Sequence, residues 1–169
     1  MKVLIVGFGN PLAGDDGAGW RAAETLAARL RSPDVRVRAV RQLTPELAEE
    51  AAHAALVVFL DASVELRPGV LDCRRIEPAS GDCVFWHQFG PEALLGVAER
   101  LYGRRPEALL FSVGAKTFTG PGLSSEVEQA LPSLVRQVEE LIERVAEAGK
   151  PARECDTPEA DDDVFSVMH

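Results

Sequence analysis

The sequence predicts an α/β fold: a single-domain three-layer sandwich whose mostly parallel, doubly wound sheet carries helices on both faces. Three observations predict it. Apolar, β-branched runs alternate with helical periodicities over residues 1–149 of 169. The first such run, Lys2-Val3-Leu4-Ile5-Val6-Gly7, lacks the polar alternation of a half-exposed strand, as expected for a strand covered on both faces. No internal repeat or composition break marks a second domain before residue 150.

Each element follows from local chemistry. Lys2 to Gly7 is a strand stopped by glycine. Behind Asp15 and Asp16, Trp20, Ala23, Leu26, Ala27 and Leu30 recur at helical spacing, giving a helix over Ala18 to Leu30. Val35 to Val40 alternates with Arg36 and Arg38, a less buried strand. Thr44-Pro45-Glu46 supplies an N-cap, a proline at the first helical position and an early acid for a helix ending near Ala54. Leu56 to Leu60 is the most apolar segment and reads as a central strand ending at Asp61. After the Pro68-Gly69 turn, Val70 to Ile76 is a further strand; Pro91 to Leu101 is a helix and Leu109 to Val113 the last strand. Ser125 and Glu128 have capping-box spacing before a long amphipathic helix through Val145, which Pro132 should kink or split. Residues 150–169 hold six acids against two bases and read as an acidic, mobile tail.

Composition narrows the function classes. Hydrophobic residues make up 46% and charged residues 27%, and no apolar run approaches the ~20 residues of a membrane span. The net charge is −9, with 18 basic residues against 27 acidic, which disfavours nucleic acid and anionic membranes as partners. Cys73, Cys83 and Cys155 form no C-x-x-C pair and read as three ordinary thiols of a reducing compartment. With a strand starting at Lys2 there is no room for a leader, so a cytoplasmic location is expected.

Ligands of open α/β sheets collect outside the carboxyl ends of the strands, and three segments qualify. The loop Gly7 to Gly19 has the glycines of a dinucleotide loop, but it places Asp15 and Asp16 where phosphate would sit and has no lysine. Phosphate would meet repulsion there; a cation would not. One aspartate could simply cap the helix, which leaves the other unexplained. Asp61, after five apolar residues, would be partly desolvated and needs hydrogen bonds, a cation or a shifted pKa. His87 lies between aromatics in Val84-Phe85-Trp86-His87-Gln88-Phe89-Gly90, just before a helix. Two carboxylates and an imidazole match the ligand set of zinc, nickel or manganese and leave positions open for water or substrate. His53 and His169 lie away from this edge. No H-E-x-x-H helix, no G-x-S-x-G elbow and no convincing cysteine nucleophile is present.

At these residues the chain resembles the hydrogenase maturation endopeptidases. Gly7, Gly9, Asn10, Leu12, Asp15, Asp16 and Gly19 are similar to the family signature G-x-G-N-x-L-x-x-D-D/E-x-x-G, and Gly122 to Pro132 is similar to a C-terminal family pattern. The likeness covers residues 1–149. It implies an endopeptidase, aspartic-type or metal-assisted, that removes the C-terminal extension of a nickel-iron hydrogenase large-subunit precursor after nickel insertion. It further implies that Asp16, Asp61 and His87 bind a divalent metal, nickel carried by the substrate, with Gly9, Asn10, Asp15, Gln42, Thr44 and Gln88 lining the site. Arg41-Gln42-Leu43-Thr44-Pro45-Glu46-Leu47 departs from the D-x-x-T-x-G stretch of many members, which bears on the class of hydrogenase processed. A different class of function, a nickel-dependent checkpoint module that binds a metalloenzyme precursor without cutting it, uses the same residues. The oligomeric state is not legible.

Overall fold

In the computed structural model, which describes residues 2–80 and 89–149, β1 (Val3–Phe8) is an inner strand of a five-stranded sheet. A 3-10 turn (Gly14–Gly17) leads into α1 (Ala18–Arg29); β2 (Val35–Val40), α2 (Leu47–Ala52), β3 (Leu56–Ser63), β4 (Leu71–Arg75), α3 (Pro91–Tyr102), β5 (Glu107–Gly114) and α4 (Ser125–Ala148) follow. The order across the sheet is β2-β1-β3-β5-β4. All pairings are parallel except β4 with β5.

The uninterrupted apolar runs are explained by cores on both faces. On β3, Val57 and Phe59 enter one core with Leu94 and Leu95 of α3 and Ala48 and Ala51 of α2. Val58 and Leu60 enter the other with Leu26 of α1 and Leu134, Val138 and Leu141 of α4. Strand alternation assigns consecutive residues to opposite faces, so an apolar strand buried on both sides shows no polar period. Gly19 permits α1 to sit tightly on the sheet: a Cβ there would lie 2.1 Å from the Leu60 carbonyl oxygen.

Several expected boundaries moved. β3 does not stop at Asp61 but continues to Ser63, because β5 extends alongside it to Gly114. α2 starts at Leu47, after a turn in which Leu47 N–H donates to the Thr44 carbonyl, and ends at Ala52. The capping box does not form: Ser125 is already helical, and the N-cap is Ser124, whose hydroxyl is committed to Asp15. α4 is not split at Pro132. Pro132 sits on the exposed face, where water can satisfy the carbonyl that its missing N–H leaves unpaired.

Cys73 on β4 is disulfide-bonded, which corrects the expectation of three ordinary thiols. Pairing depends on proximity in space, which cysteine spacing does not reveal. The other cysteines, Cys83 and Cys155, and the expected tail at 150–169 lie outside the described residues. No helix among the described residues is long and apolar enough to cross a membrane.

Candidate functional site

From β1 the chain crosses to β2 on one side of the sheet and then to β3 on the other. The crevice outside the carboxyl ends of β1 and β3 is therefore the topological switch point, where open α/β sheets bind ligands. A cavity of 830 Å³ opens there, between the strand ends, the loop that follows β2 at Arg41, Gln42 and Leu43, and the N-terminal end of α3. Asp16 and Asp61 both line it, together with Gly9, Gln42, Asp72, Arg74, Phe89 and Ser112.

The two aspartates are held by similar devices. The Asn10 N–H donates to Asp16 Oδ2 at 2.6 Å, and the Ala62 N–H donates to Asp61 Oδ1 at 2.7 Å. In each carboxylate the other oxygen has no hydrogen-bond partner among the described residues. The loop reaches this geometry through Gly9, whose φ of 129° lies in the region that favours glycine and whose Cβ would meet the Asp16 carbonyl oxygen at 1.8 Å.

Burial pushes the Asp61 carboxyl up to about 6; the Ala62 N–H opposes this, while the negative charges of Asp16 and Glu92 reinforce it. Asp61 and Asp16 are thus like charges in one cavity, an arrangement that a bound cation would relieve. Among the described residues no three His, Cys, Asp or Glu side chains form a metal-ligand cluster. His87 and Gln88 lie outside the described residues, and Phe89 and Gly90, next in the chain, line the cavity.

Of the other expected site-lining residues, Gly9 and Gln42 line this cavity, whereas Asn10, Asp15 and Thr44 do not. Asn10 acts one step away, through its N–H on Asp16. Asp15 is fully buried and turned toward the opposite side of its loop, accepting from Lys116 N–H, Thr117 N–H, Ser124 N–H and the Ser124 hydroxyl at 2.6–3.1 Å. Adjacent aspartates in a 3-10 turn project in different directions, which a linear motif cannot display. Thr44 sits in the turn before α2, its carbonyl accepting from the Leu47 N–H.

Sequence reading missed Asp72, Arg74, Glu92 and Ser112. Arg74 pairs with Glu92 at 3.2 Å across the cavity wall. Ser112 is a lone polar residue inside Leu109-Leu110-Phe111-Ser112-Val113, a signal that could have been noticed. Asp72 looked like an ordinary polar position of an edge strand.

No protein-family model matches this sequence, and no curated protein sequence matches it. Solved structures do. The NiFe hydrogenase maturation protease HycI from Thermococcus kodakarensis aligns at a TM-score of 0.69 with 20% identity, over 84% of this chain and 92% of that one, which establishes the fold. The hydrogenase maturating endopeptidase HybD from E. coli aligns at 0.61 with 27% identity, over 88% and 94%. The hydrogenase 2 maturation peptidase from a Thaumarchaeota archaeon aligns at 0.63 with 27% identity, over 85% and 99%.

Over most of its length the chain is thus similar to hydrogenase maturation proteases of known structure. The cavity holding Asp16 and Asp61 is therefore the candidate active site of a maturation-protease fold, its third expected member being His87.

Proposed function

We propose that this chain is the endopeptidase that removes the C-terminal extension of a nickel-iron hydrogenase large-subunit precursor once nickel is in place. The observation that carries this reading is the convergence of Asp16 and Asp61, each with one oxygen anchored and one open, in the cavity at the switch point. Nickel arrives as part of the substrate, and Asp16, Asp61 and His87 complete its coordination. A carboxylate pair that repels itself when empty favours a metal-loaded partner over a metal-free one. The donor set of two carboxylates and one imidazole suits nickel and leaves sites for the precursor's own ligands.

The metal, when bound, polarises the scissile carbonyl or the attacking water. Asp61, with its pKa near 6, is suited to accept a proton from that water close to neutral pH.

Intact-mass analysis of a nickel-loaded precursor tests the reading. Wild type should release one discrete C-terminal fragment, and Asp16→Asn, Asp61→Asn and His87→Ala should release none while keeping the native circular dichroism. Full cleavage by all three variants would remove this site from the reaction. Nickel-dependent binding without mass loss would make the protein a checkpoint module instead.

A further inference from the structure

Two polar side chains are buried among the described residues, Asp15 and Ser112. Asp15 is satisfied four times over. Ser112, 7% exposed, makes no side-chain hydrogen bond among the described residues. The hydroxyl itself is not sealed off, since Arg21 Nε is the one fully buried side-chain polar atom without a partner among the described residues, so it is free to donate to a ligand. This hydroxyl lines the cavity.

Its neighbours are set by register. Ser112 pairs with Asp61 across the parallel β3–β5 ladder and with Asp72 across the antiparallel β4–β5 ladder. Directly paired residues project from the same face, so Asp61, Ser112 and Asp72 form one row across three strands, at roughly 4.8 Å per step. The row is the floor of the cavity, on the face covered further back by α2 and α3. Asp72 also has no hydrogen bond or ion pair among the described residues. Asp61 is engaged by Ala62; the other two groups are an idle donor and an idle acceptor side by side.

We infer that Ser112 and Asp72 form a backbone-binding subsite that grips one residue of an extended substrate segment next to the scissile bond. An extended residue presents its own C=O and N–H on the same side, as the paired bonds of an antiparallel ladder require. Ser112 donates to that carbonyl, and Asp72 accepts from that N–H. Both are positioning residues: they fix where the chain lies relative to Asp61 and take no part in bond breaking. Because a backbone is read, the subsite is indifferent to the side chain it holds. The inference rests on the endopeptidase reading above and adds where its substrate lies.

The test uses the full chain and the nickel-loaded precursor, with Ser112→Ala and Asp72→Ala. Each variant should raise KM about tenfold, the value of one or two hydrogen bonds, with kcat within about twofold. Precursors whose C-terminal segment is joined by chemical ligation, with single amides replaced by esters near the cut, sharpen it. One ester position should weaken the wild type and leave Asp72→Ala unaffected. Ser112→Ala should melt no lower than wild type, since an unpaired hydroxyl has no partner to lose. Unchanged KM in both variants, a fall in kcat at constant KM, or a lowered melting temperature for Ser112→Ala would overturn the inference. Should wild type leave the precursor uncut, the endopeptidase reading fails and the dissociation constant replaces KM: weaker binding by both variants would still support the subsite, and equal binding would overturn it.

Discussion

Asp61 is where the competing terms at this site can be weighed most directly. Its carboxyl titrates near 6 in the folded chain against an ordinary value of 3.8, because burial and the charges of Asp16 and Glu92 outweigh the one N–H it accepts. Between those two values the folded state holds a proton that the unfolded state has released, so stability falls as pH rises from about 4 to about 6 and stays lower above that. Replacing the group by an isosteric amide removes the penalty. Asp61→Asn should therefore stabilise the metal-free protein by about 2 to 3 kcal/mol at pH 8, with the gain vanishing near pH 4. Urea melts of both proteins at the two pH values check this; equal stability at pH 8 would show that the carboxylate is not under strain. Such a cost is expected where a site sets function against stability.

Among the elements, α4 shows how far local rules carry. Its amphipathic pattern was legible from end to end, because Val127, Leu134, Val138, Leu141 and Val145 all face the core. The expected break at Pro132 did not follow, since packing of one whole face over 24 residues outweighs one missing hydrogen bond on the exposed side. Pro132→Ala should restore the bond to the Glu128 carbonyl and raise stability by about 1 to 3 kcal/mol, seen as a higher melting temperature. No gain would mean that the helix has already relaxed around the proline. The start of α4 differs for a related reason: Ser124 gives its hydroxyl to Asp15 rather than to its own helix, so a tertiary contact displaced a local cap.

For the molecule as a whole, that contact joins the first loop to the last helix, 109 residues apart in sequence. Burial works against the Asp15 charge, yet the Ser124 and Lys116 N–H groups, the Ser124 hydroxyl and the Thr117 N–H together hold its pKa below the usual carboxylate range. The stabilisation is present above the unfolded value and is lost as pH falls through the folded one. Asp15→Ala would strand three backbone N–H groups and should cost about 3 kcal/mol. Hydrogen exchange should then speed up together in the 14–17 turn and the 116–124 loop. Faster exchange in only one of them would show that the two are not tied through this side chain.

The sequence by itself determined the α/β class, every strand and α-helix of the described chain to within a few residues, and singled out Asp16 and Asp61, which the fold brings to one cavity. Those features are written in short-range patterns: apolar runs, helical periods, glycines where two backbones must meet. Only the tertiary structure decided that Asp15 faces inward, that Asn10 and Thr44 stand off the cavity, that Cys73 is bridged, and that Ser112 and Asp72 share a row with Asp61. Each of these depends on register between strands distant in sequence, or on which way one side chain of a tight turn points. Neither quantity leaves a periodic trace along a chain.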